Sequence, residues 1–234
     1  MAAPPETTIQ NLNGQFILNK TLSNDTDPIL ALQGISWVTR TAIAYATVTL
    51  DISEFVEPNA DDPAHAPVTK VDILQTATGG IQSQEKRTAD WRPRDHEDRI
   101  FGAVSGQTRL IRGSKAADGK VRPDIEVQTE PKEEKIAKFL RGETLVDGEA
   151  AEGFDVEVVQ DKEGVSYGEG EGLWLQSWVR SESAKWTAEQ IWGFETIDGL
   201  RYYTRRVAVA SEDGNYLLAR LVYDYQGPVP APEA

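Results

Sequence analysis

The chain contains no cysteine. That excludes a disulfide framework, a thiol nucleophile and a cysteine-based zinc site. Histidine is nearly as scarce, with two residues in 234, so nucleophile–base catalysis has few candidates. No GxSxG elbow, HExxH pair, P-loop or GxGxxG after a strand is present. The run Gly168-Glu169-Gly170-Glu171-Gly172 lacks a lysine and reads as a flexible joint. No apolar run approaches the length of a membrane span. The opening MAAPPETTIQ has no basic start leading into an apolar stretch, so a signal peptide is not expected and a cytoplasmic location is. Positive charge is in deficit, 24 Lys and Arg against 38 Asp and Glu, for a formal net charge of −14. Such a field disfavours nucleic-acid phosphates and anionic lipid. Asp95, Glu97 and Asp98 lack calcium-loop spacing, and no metal or cofactor is expected.

What is present is strand after strand. Gln15 to Lys20 alternates apolar and polar residues. Asp27-Pro28 predicts an N-cap followed by proline at the first helical position, with Gly34 closing that helix. Ser36 predicts the cap of a second helix, Trp37 to Ala44, whose Trp37, Val38, Ala42 and Tyr45 suggest a face against something hydrophobic. Strands are then predicted at Thr47–Phe55, Val68–Thr76, Gln82–Trp91, Arg99–Val104 and Gln107–Arg112, the last two split at Ser105-Gly106. Four more follow at Leu173–Ser183, Trp186–Thr196, Leu200–Ala210 and Tyr216–Tyr225. Their joints, Ser183-Ala184-Lys185, Asp198-Gly199 and Asp213-Gly214, predict tight antiparallel hairpins. The expected fold is all-β: one antiparallel up-and-down β-barrel of about ten strands. A helix-turn-helix cap sits between the first two strands. The organisation expected is a loose lead-in over 1–9, one barrel domain over 10–225, and a Pro-rich tail over 226–234. Residues 113–172 form an insertion with one helix at Pro131 to Arg141 and a possible strand at Phe154 to Val159.

Particular residues carry a family resemblance. Asn13-Gly14 opens the first strand and Leu32-Gln33-Gly34-Ile35 joins the helices. Thr39-Arg40 lies in the second helix, and Thr47-Val48-Thr49-Leu50 enters the second strand. In this order the chain resembles the intracellular lipid-binding, or fatty-acid-binding, group of the lipocalin-like (calycin) superfamily. The motifs LNGQFILNKTLS, LALQGISW, DHEDRIFG and QIWGFETIDGLRYYTR are also similar to small fungal lipocalin-like proteins of unsettled function. The resemblance implies a barrel holding a greasy ligand beneath its helical cap. One departure matters: that family closes with Arg-x-Tyr on one face of its last strand, whereas Arg220 and Tyr223 differ in parity and face opposite sides. The carboxylate clamp is therefore not carried over.

Alternation nominates the site. Trp186, Gln190, Trp192 and Phe194 share a face of their strand, as do Arg201, Tyr203, Arg205, Val207 and Val209 of theirs. Trp174, Gln176 and Trp178 share another. With Trp37 and Tyr45 of the cap, the expected ligand-binding set is Trp37, Tyr45, Trp174, Gln176, Trp178, Gln190, Trp192, Tyr203 and Arg205. Arg205, Gln190 and Tyr203 are the catalytic candidates, since an inward guanidinium or amide needs an oxygen partner. His96 is expected in a charged, solvated turn and His65 in an inert loop. The leading functional expectation is binding of a small hydrophobic molecule. The alternative is a cyclase or isomerase (pericyclase-type, Diels-Alderase-like) acting on a polyketide or terpenoid natural product, which needs little acid–base machinery. A third is a non-catalytic interaction protein with a solid barrel. The expected partner is a small hydrophobic molecule, without nucleic acid or membrane span, on a monomer or weak dimer.

Overall fold

The computed structural model describes residues 1–162 and 164–230. In chain order the elements are β1 Gly14–Leu18, α1 Asp27–Leu32, α2 Trp37–Tyr45, β2 Val48–Pro58, β3 Pro67–Ala77, β4 Ile81–Thr88, β5 Arg94–Asp98, β6 Gly102–Lys115, β7 Val121–Pro123, α3 Glu134–Leu140, β8 Glu171–Ser181, β9 Trp186–Ile197, β10 Leu200–Ser211 and β11 Tyr216–Gly227. The eleven strands described form one antiparallel sheet in the order β4-β3-β2-β1-β11-β10-β9-β8-β6-β5, with β7 beside β6. The first strand lies between the second and the last, so the sheet curls on itself and neighbours in sequence are neighbours in space. The barrel and its helical cap between β1 and β2 match the sequence expectation.

Local chemistry explains most joints. Asp198 and Gly199 both take positive φ (51° and 75°), so Ile197 pairs directly with Leu200 across a two-residue turn that matches strand twist. Ser36 accepts the Thr39 amide and caps α2. In α1 the cap is Thr26, one residue before the expected Asp27, and Asp27 takes the first helical position.

One boundary is misplaced by the sequence reading. β6 runs unbroken through Ser105 and Gly106, and the turn falls at residues 99–101 instead. Asp98 Oδ1 accepts the Ile100 and Phe101 amides at 2.7 and 2.9 Å, which fixes that turn. Gly106 serves close approach: a Cβ there would sit 3.3 Å from Arg87 Nη1. The DHED segment is therefore strand β5, and His96 lies on it.

The interior divides into two levels. At the lower end Phe16, Leu50, Ile73, Leu175, Phe194 and Tyr203 form a packed core. Residues 1–9 are not a loose lead-in. Ala3, Thr7 and Ile9 are buried, Ala3 and Ile9 join that core, and the Ala3 amide donates to the Arg201 carbonyl at 2.7 Å. At the upper end Ile29 of α1 packs over Val104, Val179, Trp186, Val207 and Val209.

The insertion builds a third apolar layer on the outside of the barrel. Ile136, Phe139 and Leu140 of α3 pack with Phe154 on Trp174, Ile191, Ala208 and Leu218. Phe154 forms only an isolated bridge to Glu195, not the expected strand. A Cβ at Gly193 would approach Phe154 and Trp174 to 2.7 and 2.8 Å, so glycine permits the layer to close. Buried Arg206 ties it down, donating to Glu195 at 2.9 and 3.0 Å and to the Phe139 and Thr144 carbonyls. Of the Pro-rich tail, residues 231–234 lie outside the described residues.

Candidate functional site

β4 pairs only with β3, and β5 only with β6. The two strands face each other without backbone pairing, leaving a seam in the wall. Side chains span it: Ser83 Oγ donates to Asp98, and Arg87 Nη1 donates to Ser177 Oγ at 3.1 Å. Below, the Trp91 amide meets the Thr108 carbonyl at 2.8 Å and closes the seam.

Beneath the helices lies a cavity of about 190 Å³. Ile29, Leu30 and Gln33 of the first helical segment roof it, together with Ile43 of α2. Its walls are mostly apolar, with Val179, Trp186, Val207 and Leu221 among them. Polar groups enter from two directions: Gln190, Arg205 and Tyr223 from the closing strands, and Ser83, Glu85, Arg87, His96 and Asp98 from the seam.

Arg205 sits at the junction between the two levels of the barrel. Along β10, Tyr203 belongs to the packed lower core and Val207 to the upper layer. Arg205 is 4% exposed. Its Cζ lies 3.9 Å from the Trp192 ring centroid, its Nε donates to Tyr203 Oη at 2.9 Å, and its Nη1 stands 3.9 Å from Glu85. Nη2 has no hydrogen-bond partner among the described residues. A buried guanidinium with an unused donor beside an apolar cavity is costly unless an acceptor arrives from elsewhere.

The charges around it are set by burial and by each other. Burial works against the Glu85 carboxylate, but Arg87 at 2.9 Å and Arg205 outweigh it and hold its pKa below the ordinary glutamate value. Burial likewise opposes the Arg205 charge, and Tyr203, Tyr223 and Glu85 more than offset it, leaving its pKa raised. Burial, only partly offset by Arg205, pushes the Tyr203 phenol up, so it remains protonated. Gln190 accepts the Trp192 indole N–H at 2.9 Å, which turns its amide –NH₂ into a further free donor on the cavity wall.

The residues nominated by sequence separate into three groups. Gln190 and Arg205 line the cavity, and Trp192 and Tyr203 form the floor under the guanidinium. Trp174, Gln176 and Trp178 face out of the barrel. Trp174 is buried under the insertion, and Gln176 bonds Arg109 and Glu189 at 2.8 and 2.7 Å. β8 is apolar on both faces, so alternation alone could not say which face looks inward. Trp37 and Tyr45 are 69% and 88% exposed and do not line this cavity. Their side of α2 points to solvent, and the opposite side carries Ile43 over the cavity. Of the seam residues, Ser83, Glu85 and Arg87 were missed, and His96 and Asp98 were weighed only as residues of a solvated turn. The signal for the first three was IQSQEKRT, a barrel strand with no apolar face.

No family model matches the chain. Over 228 residues it is 25% identical to the probable pericyclase scpY of Mollisia scopiformis, spanning 97% of this chain and 96% of that protein. Over 230 residues it is 22% identical to the pericyclase pydY of an Acremonium species, spanning 97% and 98%. Among solved structures it is similar to a Schistosoma mansoni fatty acid binding protein in complex with arachidonic acid. That match has TM-score 0.43 and 12% identity, over 92% of this chain and 96% of that one. A fatty-acid-binding protein from Manduca sexta gives TM-score 0.43 and 11% identity, over 91% and 97%. The topology, with the first strand beside the last and a helix pair after the first strand, is the antiparallel up-and-down β-barrel expected from the sequence. No helix among the described residues is long and apolar enough to cross a membrane.

Proposed function

We propose that the barrel binds a small, largely apolar molecule under its helical cap and acts on it as a pericyclase, closing a ring on a polyene of polyketide or terpenoid type. The observation that carries this reading is the unpartnered Arg205 Nη2, buried at the edge of an apolar cavity. A pericyclic closure is an isomerisation, in which no atom enters or leaves, so it asks for no nucleophile and no proton shuttle. It asks for a folded conformer and for electron withdrawal at a conjugated carbonyl. The apolar wall supports the first requirement. Arg205, with the free Gln190 amide beside it, supports the second: a donor aimed at the carbonyl oxygen, in a site of low dielectric, lowers the energy of the developing charge. The full-length similarity to two pericyclases supports the same reading.

The test is a rate comparison on a synthetic linear triene tethered to an α,β-unsaturated carbonyl. The protein is expected to accelerate its cyclisation and to favour one diastereomer. R205M is expected to lose on the order of 10²-fold in that acceleration, as when one oxyanion donor is removed. Background rate and an unchanged isomer mixture would contradict the proposal. Tight binding without turnover would instead assign the chain as a carrier of such molecules.

A further inference from the structure

The cavity under the cap reaches the seam. Outside the seam lies a second chamber of about 500 Å³, lined by β4, β5 and part of β6. Five side chains line both spaces: Ser83, Glu85, Arg87, His96 and Asp98. No backbone ladder separates the two spaces, because β4 and β5 do not pair. What separates them is the Ser83–Asp98 hydrogen bond and the Glu85–Arg87–Ser177 chain, all of which single rotamer changes can open.

The two spaces differ in size and in chemistry. The inner one, about 190 Å³, is smaller than the pockets that usually enclose whole ligands, roughly 300–1,000 Å³. The outer one has that size but is polar: apart from His96, its lining carries five arginines and lysines against four aspartates and glutamates. Near balance of charge favours an uncharged head rich in hydrogen-bonding groups over an ionised one. The facing edges of β4 and β5 add backbone N–H and C=O groups that the sheet leaves unused.

From this juxtaposition we infer that the ligand is amphipathic. Its apolar part fills the inner cavity, and an uncharged hydroxyl- or amide-bearing head passes between β4 and β5 into the seam chamber. The inference rests on the proposed ligand-binding reading and adds to it the class of molecule and a second subsite. Arg205 and Gln190 stand where the two parts meet, so the oxygen they hold is the one at the junction. Glu85 and Arg87 then select for the head, and the Ser83–Asp98 bond only gates the passage.

The absence of native cysteine makes the seam testable in the full chain. In S83C/D98C the two thiols can be bridged across the seam with dibromobimane, whose fluorescence reports closure, and the unbridged protein is its own control. The probes are 1-octanol and octyl β-D-glucoside, which share a chain and differ in the sugar head, with binding read by calorimetry. The wild-type protein and the unbridged variant are both expected to bind the glucoside at least tenfold more tightly than the alcohol. Bridging is expected to abolish that advantage and leave octanol binding within twofold. A glucoside advantage that is missing before bridging, or survives it, overturns the seam subsite. So does loss of octanol binding on bridging, since the apolar part would then depend on the same opening. If neither probe binds the wild-type protein, the ligand-binding reading beneath the inference falls with it.

Discussion

A guanidinium held out of water with one nitrogen unbonded sacrifices stability for something else. At position 205 the sacrifice is legible, because Glu85 has a closer partner in Arg87, at 2.9 Å, than in Arg205, at 3.9 Å. R205M is therefore expected to unfold at a urea midpoint no lower than the wild type, within about 1 kcal/mol, while ligand affinity falls at least tenfold. A large loss of stability would show that Arg205 is there for the fold. Trp37 and Tyr45 make the opposite case. Both are exposed, so W37S and Y45S are expected to leave stability within about 0.5 kcal/mol and ligand affinity unchanged, by the same urea and binding measurements. At this scale the sequence told only part of the story. Arg205 and Gln190 stood out because alternation on β9 and β10 put them among large apolar side chains. Trp174, Gln176 and Trp178 were misassigned because β8 carries apolar residues on both of its faces, and nothing local marks which face an insertion will cover.

At the scale of elements, the helical cap, the closing hairpins and the turn at Asp198-Gly199 follow from capping and turn chemistry, and they could be read directly. The β5–β6 boundary could not. Gly106 resembles a turn glycine, while its purpose is to let Arg87 approach from across the seam, a contact that depends on tertiary structure. The insertion was harder still: its apolar residues are sparse, and they form a core only against the outer face of β8 to β11. F139A, which empties a fully buried site in that layer, is expected to destabilise by about 3–5 kcal/mol in urea unfolding while ligand affinity of the folded protein stays within twofold. A matching loss of affinity would tie the insertion to the cavity.

The clasp on the N-terminal segment is the other element with a measurable consequence. Glu54 accepts the Leu12 amide and Glu157 the Ile9 amide, each at 2.8 Å. Burial, only partly offset by those amides and by Lys162 or Arg201, pushes both carboxyls up to about 7. A folded-state value above the ordinary 4.5 means the folded protein binds protons that the unfolded chain releases. The stability these groups contribute is complete below about pH 4.5 and is lost as pH rises through about 7. The urea midpoint is thus expected to fall between pH 5 and pH 8. E54Q keeps an acceptor for Leu12 and is expected to flatten that slope; an unchanged slope would remove Glu54 from the explanation.

Over the whole molecule, the same barrel does two things at different heights. The lower half is packed solid and closed by the first residues of the chain, while the upper half is hollow, roofed by α1 and breached along one seam. The hollow half argues against a barrel filled for structure alone, and the charged donor left unpaired at Arg205 gives the hollow a direction. The claim on which this rests is that an oxygen of a bound apolar molecule completes Arg205. A crystal structure of the protein with the linear trienone, or its cyclised product, tests it most directly. The ligand is expected under α1, with its carbonyl oxygen about 2.7–3.1 Å from Arg205 Nη2. A ligand seated outside the barrel, or inside it with that nitrogen still unbonded, would contradict it.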